Sequence, residues 1–398
     1  MTFDFAQPDR PSTLLVLGGS LYQIPFIEAA HRLGVHVITA DNNPENPGHR
    51  LADAYVECST VDVEGVCRIA QEQRVDGILA AATDVALDAV AAAVDRLGLA
   101  GPGVACVATL TRKAAFRAYQ RQAGLPHPSV FEGVPAEFPV LVKPNRSSGS
   151  KGIKVANDIR EWTMALSNAK SFSMDGIAVS EEFIVGSQGT VEGVVREGTV
   201  LAMMATDRLT ARAPHVGTLG HCTPSRLPAS IQALLQRQVE QVLGDLGYVD
   251  GPFDGDFVVA GDMVYLLEIT PRVGGNALTK LWAASQGFDM PRAAVLEALG
   301  LREPIALTQV RPAMVRILSV ESSGQLSYDT RAAQTLKGNA RVFSLVLDYP
   351  PGANVEAFAD GRHRIGDLTV AADTLAEVES VLTEALACLC LRAHSTWS

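Results

Sequence analysis

The 398-residue chain contains no run of eighteen apolar residues, so no segment reads as a membrane-spanning helix. It also lacks an excess of basic residues: 33 Lys and Arg stand against 44 Asp and Glu, a formal charge of −11 with a pI near 5.2. That balance argues against a nucleic-acid surface, where phosphate favours a net basic face, and leaves room only for a local basic pocket. The start, Met1-Thr2-Phe3-Asp4, has no basic stretch leading into an apolar one, so a cytoplasmic location is expected. The six cysteines sit at irregular spacings and are expected to be buried, reduced thiols; Cys388-Leu389-Cys390 lies in an apolar helical stretch. No internal repeat, low-complexity tract or Walker A loop G-x-x-x-x-G-K-[ST] occurs. What is present is 47% hydrophobic and 19% charged, enough to bury a large core in two or three domains.

The first hundred residues alternate strand and helix signals. Leu14 to Leu17 ends in Gly18-Gly19 and is followed by a helical stripe of Ile24, Ile27, Ala30 and Leu33. Val35 to Asp41, Ala54 to Val56 and Gly77 to Ala80 read as further strands, with helices around Val66 to Gln73 and Val85 to Leu97. Such alternation predicts an open parallel sheet covered by helices. Gly18-Gly19-Ser20 is not G-x-G-x-x-G, and Asp41-Asn42-Asn43-Pro44 initiates a turn as readily as it binds a ribose, so NAD carries little weight. Gly101-Pro102-Gly103 suggests a boundary before a helix starting near Thr111.

From 130 to 200 short strands and tight turns take over, among them Val140 to Lys143, Gly152 to Val155, Ala178 to Ser180, and Thr190 to Val195 paired with Val200 to Ala205 across Glu197-Gly198. Ser230 is expected to cap a helix that stops at Gly247, and a last helix is expected over Leu375 to Leu391.

Three stretches carry chemistry. Lys143 ends a strand before Ser147-Ser148-Gly149-Ser150-Lys151-Gly152, where small residues let backbone N–H groups approach an anion and two lysines add charge. The run from Asp256 to Arg272 reads as a hairpin turning at Gly261-Asp262. With a three-residue loop or a bulge, Asp256 and Glu268 fall opposite one another, on a face shared with Val258, Ala260, Val264 and Leu266. Paired hard oxygens suit Mg²⁺, or Mn²⁺, held jointly with a nucleotide, although exposed acids could also splay into water. Arg272 and Gly274-Gly275-Asn276 follow, a fixed cation and a turn rich in N–H groups that would stabilise a transferring phosphoryl group. Thirdly, His221 in Gly217 to Ser225 could orient a carboxylate or take a proton from an amine, or be merely solvated. Arg208, Arg212 and His215 precede it, and one of the arginines could bind a substrate carboxylate or simply be surface charge.

These stretches, in this order, resemble the ATP-grasp superfamily of carboxylate–amine ligases, both L-amino acid ligases and the large chain of carbamoyl-phosphate synthase. Asp256 to Arg272 is similar to the family signature E-[IV]-N-P-R with its glycine turn, and Gly220-His221 to a G-H-x-x-P segment. The resemblance implies an α/β and α+β chain: an N-terminal Rossmann-like domain (1–110), a two-subdomain ATP-grasp fold (111–190 clamping the nucleotide, 191–300 holding metal and phosphate) and a C-terminal α+β cap (301–398) that contains Gly361 to Gly366.

By position, the resemblance implies that Ser147, Ser148, Gly149 and Ser150 cover the phosphates, with Lys113 and Lys143 on the inner ones. Glu181, Glu182, Phe183 and Ile184 would form the adenine hinge. Gln188 stands where the family often has a ribose-binding Glu; an amide can still bond a hydroxyl. Asp256 and Glu268 would be the metal carboxylates, with Thr270 replacing the usual Asn and making a second metal less certain. Arg272, His221 and Lys151 would act in catalysis. Arg208, Arg212, His215 and the turn Gly274, Gly275 and Asn276 would meet substrate.

The activity implied is ATP-dependent activation of a carboxylate as an acyl phosphate and its capture by an amine, both small molecules and conceivably amino acids, with ADP and phosphate released. The resemblance also implies a homodimer as a common assembly, and neither nucleic acid nor membrane as partner. Two other readings stay open: a carboxylase or transformylase on the same frame, and a regulatory nucleotide-binding module without catalysis, which the change at Thr270 would suit.

Overall fold

The computed structural model describes residues 10–147, 149–210, 217–308 and 310–394. Ser148, Arg212 and His215 lie outside the described residues.

The chain opens with four parallel strands, β1 (Thr13–Leu17), β2 (His36–Asp41), β3 (Ala54–Glu57) and β4 (Gly77–Ala80), ordered β3-β2-β1-β4. Helices α1 (Ile24–Arg32), α2 (Val63–Glu72) and α3 (Leu87–Leu97) connect and cover them. β1 and β4 are buried throughout, as a sheet covered on both faces requires. At the end of β1, Gly18 adopts φ +98°, and Asp41 accepts the Gly19 N–H (3.1 Å) and the Asn46 side-chain amide (2.9 Å). The His49 ring fills the space a Gly19 side chain would need. Asp41 therefore fastens its own turn.

Helices α4 (Val104–Leu110) and α5 (Lys113–Gln122) lead into a small antiparallel sheet, β6-β5-β7, made of β5 (Val140–Pro144), β6 (Lys154–Ala156) and β7 (Ala178–Glu182), with α6 (Ile159–Phe172) against it. Residues 183–186 then cross to β8 (Ser187–Arg196), which turns at Glu197-Gly198, both left-handed, into β9 (Thr199–Thr210). β10 (Thr218–Thr223), α7 (Ala229–Asp245), β11 (Gly251–Ala260), β12 (Met263–Thr270), α8 (Leu278–Gln286) and α9 (Met290–Ala298) follow. The remainder comprises β13 (Ala313–Leu318), β14 (Gly324–Ser327), α10 (Thr330–Lys337), β15 (Val342–Leu347), β16 (Asn354–Val355), β17 (Gly366–Ala371), α11 (Leu375–Leu389) and β18 (Arg392–His394). One eight-stranded sheet, ordered β12-β11-β8-β9-β10-β13-β17-β15, runs through residues on both sides of position 300.

A single apolar cluster joins the N-terminal sheet to the large one: Leu14, Val16 and Phe26 pack with Trp282, Ala294 and Val315. It fixes the loop after β4 against the end of β12, where Ala82 N–H donates to the Val273 carbonyl (3.1 Å).

Two local expectations change. Pro228, not Ser230, occupies the cap position of α7, because Ser230 already lies in its first turn. Cys388 and Cys390 are exposed, not buried: α11 ends at Leu389, and Cys390 takes the left-handed closing position. Cys67, Cys106 and Cys222 are buried as expected.

Candidate active site

The β11–β12 hairpin turns through two residues, Gly261 and Asp262, with Ala260 opposite Met263. A two-residue loop alone would put Asp256 out of register with Glu268. Leu267 is extra, and this bulge brings Asp256 directly opposite Glu268, and Asp254 opposite Thr270. The bulge also reverses the face beyond it. Leu266 and Val264 thus pack with Phe257 and Val259 beneath the sheet, and do not share the acidic face as the hairpin pattern predicts.

A bulge frees backbone carbonyls, and here α5 satisfies them. Arg117 donates to Leu267 O (2.8 Å) and Gln120 to Leu266 O (2.9 Å), both side chains fully buried. Arg117 continues to Glu181 Oε2 (3.1 Å), and Glu181 also pairs with Lys143. This buried triad links α5, β5 and β7 to the β11–β12 hairpin. Desolvation pulls the Lys143 ammonium below its ordinary range, opposed by Glu181; for Glu181 the pull of Arg117 and Lys143 outweighs desolvation and keeps the carboxyl ionised. The Glu181 side chain is therefore structural, leaving only its backbone for a ligand. Glu182 turns the other way and accepts from Ser129 Oγ (3.1 Å).

A cleft of about 310 Å³, open to solvent, is lined by Asp84, Thr111, Lys113, Ser147, Glu268 and Thr270. Lys113 lies 3.4 Å from Glu268. Some 37% of the Glu268 side chain is exposed in the cleft. Withdrawal from bulk water would raise its carboxyl, but Lys113 and Lys143, then Arg272 and Arg208, hold it well below the usual range. Asp256 accepts from Thr190 Oγ1 (2.8 Å) and pairs with Arg208 (2.6 Å). Arg208 is thus bound to a proposed metal carboxylate, where the sequence suggested a substrate carboxylate. The hinge residues Phe183 and Ile184 are half-buried between the two sheets, and Gln188 is exposed on β8 opposite Val258. In the loop after β5, Gly149 and Ser150 are left-handed; Lys151 makes no ion pair among the described residues.

Among the described residues no three His, Cys, Asp or Glu side chains converge as a self-sufficient metal cage. The donor set fits Mg²⁺ nonetheless, since that ion is commonly held by one or two carboxylates plus phosphate oxygens and water. Thr270 donates to Asp254 O (3.2 Å), which leaves its lone pairs alone as potential ligands.

Arg272 is clamped on two sides, by Asp84 of the loop after β4 (2.7 Å) and by Asp254 (2.5 Å). Burial alone would lower its pKa; Asp84 and Asp254 more than reverse this, and it stays protonated. After it, Gly274 N–H donates to the buried Glu192, while Asn276 and Ala277 both adopt positive φ (+52° and +59°). The N–H groups of Gly275, Asn276 and Ala277 find no backbone or side-chain acceptor among the described residues, so the turn presents donors to an anion.

His221 is buried on β10 opposite Arg208. Thr206 Oγ1 gives its proton to Thr190 O (3.2 Å), so it accepts from His221 Nδ1 (3.1 Å), which leaves Nε2 a bare acceptor without a partner among the described residues. Burial first, and Arg208 second, push its pKa down to about 3. The ring is neutral at pH 7 and a weak base, which argues against the expected proton abstraction and leaves orientation of a donor group. The sign of the pH effect follows. Between about 3 and 6.5 the unfolded chain holds the proton and the folded chain does not, so stability falls as pH drops through that window. His221→Gln should flatten the fall, read as the change in urea midpoint between pH 7 and pH 4.5; an unchanged slope would contradict the buried neutral ring.

The sequence reading missed Asp84, Arg117, Gln120, Glu192, Asp254 and Trp282. Some signal existed: Lys113, Phe116, Arg117 and Gln120 fall on one helical stripe, and Asp254 shares a strand face with Asp256. Asp84 and Glu192 come from remote elements and gave none.

Residues 136–280 match the family model described as the ATP-grasp domain. Over those residues the chain is similar to the ATP-grasp domain. Over 337 residues it is 28% identical to the formate-dependent phosphoribosylglycinamide formyltransferase of Synechococcus sp. (strain CC9311), covering 79% of this chain and 83% of that one. The enzyme of the same name from Dechloromonas aromatica (strain RCB) is 29% identical over 345 residues, covering 80% and 84%. Among solved structures, L-amino acid ligase from Bacillus licheniformis superposes with a TM-score of 0.81 at 20% identity, covering 98% of this chain and all of that one. Phosphoribosylglycinamide synthetase from Anaerococcus prevotii gives 0.79 at 19%, covering 97% and 100%. The fold of these two structures is thereby shown across nearly the whole chain, with its parallel N-terminal sheet and large antiparallel sheet. No described helix is long and apolar enough to cross a membrane.

Proposed function

We propose that this chain is an ATP-grasp enzyme that activates a small carboxylate as an acyl phosphate and condenses it with an amine, releasing ADP and phosphate. The observation that carries the reading is the register of Asp256 with Glu268, set by the Leu267 bulge in a cleft that also holds Lys113 and Thr270. Asp256 and Glu268 would hold Mg²⁺, which when bound neutralises charge on the nucleotide phosphates. Lys113 and Lys143 add fixed positive charge on the nucleotide side, and the 183–186 crossing offers backbone groups to adenine. Arg272 and the N–H groups of the following turn stabilise the oxyanion during amine attack.

Formate is itself a carboxylate and formylation of an amine forms an amide, so the formyltransferases similar to this chain perform the same bond change that is proposed here. The choice lies between formate with a phosphoribosyl amine and larger acids with an unphosphorylated amine. Arg364 pairs with Asp348 (2.9 Å) and Asp367 (3.0 Å), Lys280 with Asp367 (2.5 Å) and Arg362 with Asp360 (2.7 Å), whereas Arg316 on β13 has no ion pair among the described residues, so a cation is left for either kind of substrate. The test is an ADP-release panel of amino acids, singly and in pairs, against formate with and without phosphoribosylglycinamide. Release with amino-acid pairs supports the ligase. Release that needs formate and the phosphoribosyl amine moves the assignment to the transformylase.

A further inference from the structure

Behind the metal carboxylates lies a second group of acids to which the proposed chemistry assigns nothing. Glu192 on β8 and Asp254 on β11 are directly paired across adjacent strands, on the face that carries Thr190 and Asp256. Glu192 is 1% exposed, accepting the Gly274 N–H (2.5 Å) through one oxygen and the Trp282 indole N–H (2.6 Å) through the other. Asp254 accepts from Arg272 through one oxygen, and the other is buried with no hydrogen-bond partner among the described residues. Both acids press on a single Cα: a side chain at Gly274 would lie 2.7 Å from Asp254 Oδ1 and 2.8 Å from Glu192 Oε1.

We propose that Glu192 and Asp254 are positioning residues that set the Arg272 guanidinium and the Gly274–Ala277 turn against the transferring group. The inference rests on the reading that this turn faces the acyl phosphate.

The turn requires such a brace. Asn276 and Ala277 are consecutive non-glycine residues with positive φ, a conformation that persists only where neighbours over-determine it. Glu192 is the anchor on the N-terminal side of that pair, tying Gly274 to Trp282 in the first turns of α8, so the strained pair is spanned by one carboxylate. Asp254 performs the same task one step earlier: with Asp84 on the opposite edge it holds the guanidinium plane through Nε and Nη1. For stability alone, close-packed apolar side chains would serve at least as well as several acids around one arginine. The arrangement instead fixes directions, since each hydrogen bond specifies where a donor points.

Glu192→Leu removes both hydrogen bonds. Glu192→Gln has the same shape and keeps an acceptor for one of the two N–H donors while losing the other, so it is the graded variant. With substrate turnover as readout, Glu192→Leu should lower kcat about 100-fold, the scale of a displacement near 1 Å at a reacting centre, and leave KM for ATP unchanged. Glu192→Gln should lower it about tenfold, the loss of one hydrogen bond. A purely structural brace would lower the urea midpoint and leave kcat of the folded fraction alone.

A second readout needs no turnover. Amide hydrogen exchange at Arg272 and Gly274, whose N–H groups are bonded to Thr270 O and Glu192, should be slow in the full-length wild type and accelerate in both variants, while exchange in β5 and β7 stays the same. Wild-type kcat in Glu192→Leu, or in Glu192→Gln if the leucine variant does not fold, would overturn the proposal; so would unchanged exchange at Gly274. If the wild type turns over no substrate, the ligase reading fails by itself, and the exchange result still decides whether these acids hold the turn.

Discussion

Glu268→Gln is expected to lower ADP formation by about 10³-fold or more while leaving the fold intact, a loss of the size seen when a charge-stabilising group is removed from a preorganised site. The side chain is partly exposed in the cleft and contributes to no hydrophobic cluster, so its amide is tolerated. What the substitution removes is charge. Glu268 faces Lys113, Lys143, Arg208 and Arg272, cations that hold it ionised across the physiological range. A neutral residue 268 leaves Asp256 as the one carboxylate of the proposed metal site, already shared with Arg208 and Thr190. Steady-state ADP release with saturating substrates, beside a thermal melt, checks this; undiminished turnover in a folded variant would remove Glu268 from the metal site.

Arg272→Ala should act on rate and stability together, which separates it from Glu268→Gln. The guanidinium is 10% exposed and neutralises Asp84 and Asp254, so deleting it leaves uncompensated charge beside the already buried Glu192. Removing one partner of a buried ion pair costs about 3–5 kcal/mol, and loss of an oxyanion donor about 10²–10³-fold in kcat. Arg272→Lys keeps the charge but cannot span both carboxylates, so it should recover part of the stability and little of the rate. Urea unfolding and kcat measured on the same samples distinguish these outcomes. Full stability in Arg272→Ala would mean that the Asp84 link is not formed in solution.

How far the site could be read before the structure depended on the range of each interaction. The parallel N-terminal sheet was legible because β1, β2 and β4 are apolar runs separated by helical stripes. The Asp256–Glu268 pair was legible because both acids lie on one hairpin, where register has few choices. The bulge at Leu267 was not, because the residues that stabilise it, Arg117 and Gln120, lie on a helix some 150 positions earlier. That distance also explains the misplaced Val264 and Leu266: one extra residue reverses the strand parity on which the face assignment depended. Arg208 was assigned to a substrate because nothing in its local sequence indicates that β9 carries it to Asp256 two strands away. Asp84 and Glu192 illustrate the limit, since their partners Arg272 and Gly274 lie at distances that only tertiary packing brings together. His221 was visible, but its role depends on burial and on the proton held by Thr206, neither of which spacing reveals.

The acyl phosphate is the central claim, and trapping it is the most direct measurement. Wild-type protein, Mg²⁺-ATP and a panel of amino acids and formate, with hydroxylamine in place of the amine, should give a hydroxamate in step with ADP for at least one acid, and neither product with Glu268→Gln. ADP release without hydroxamate, or nucleotide binding with no ADP from any acid in the panel, would contradict the account.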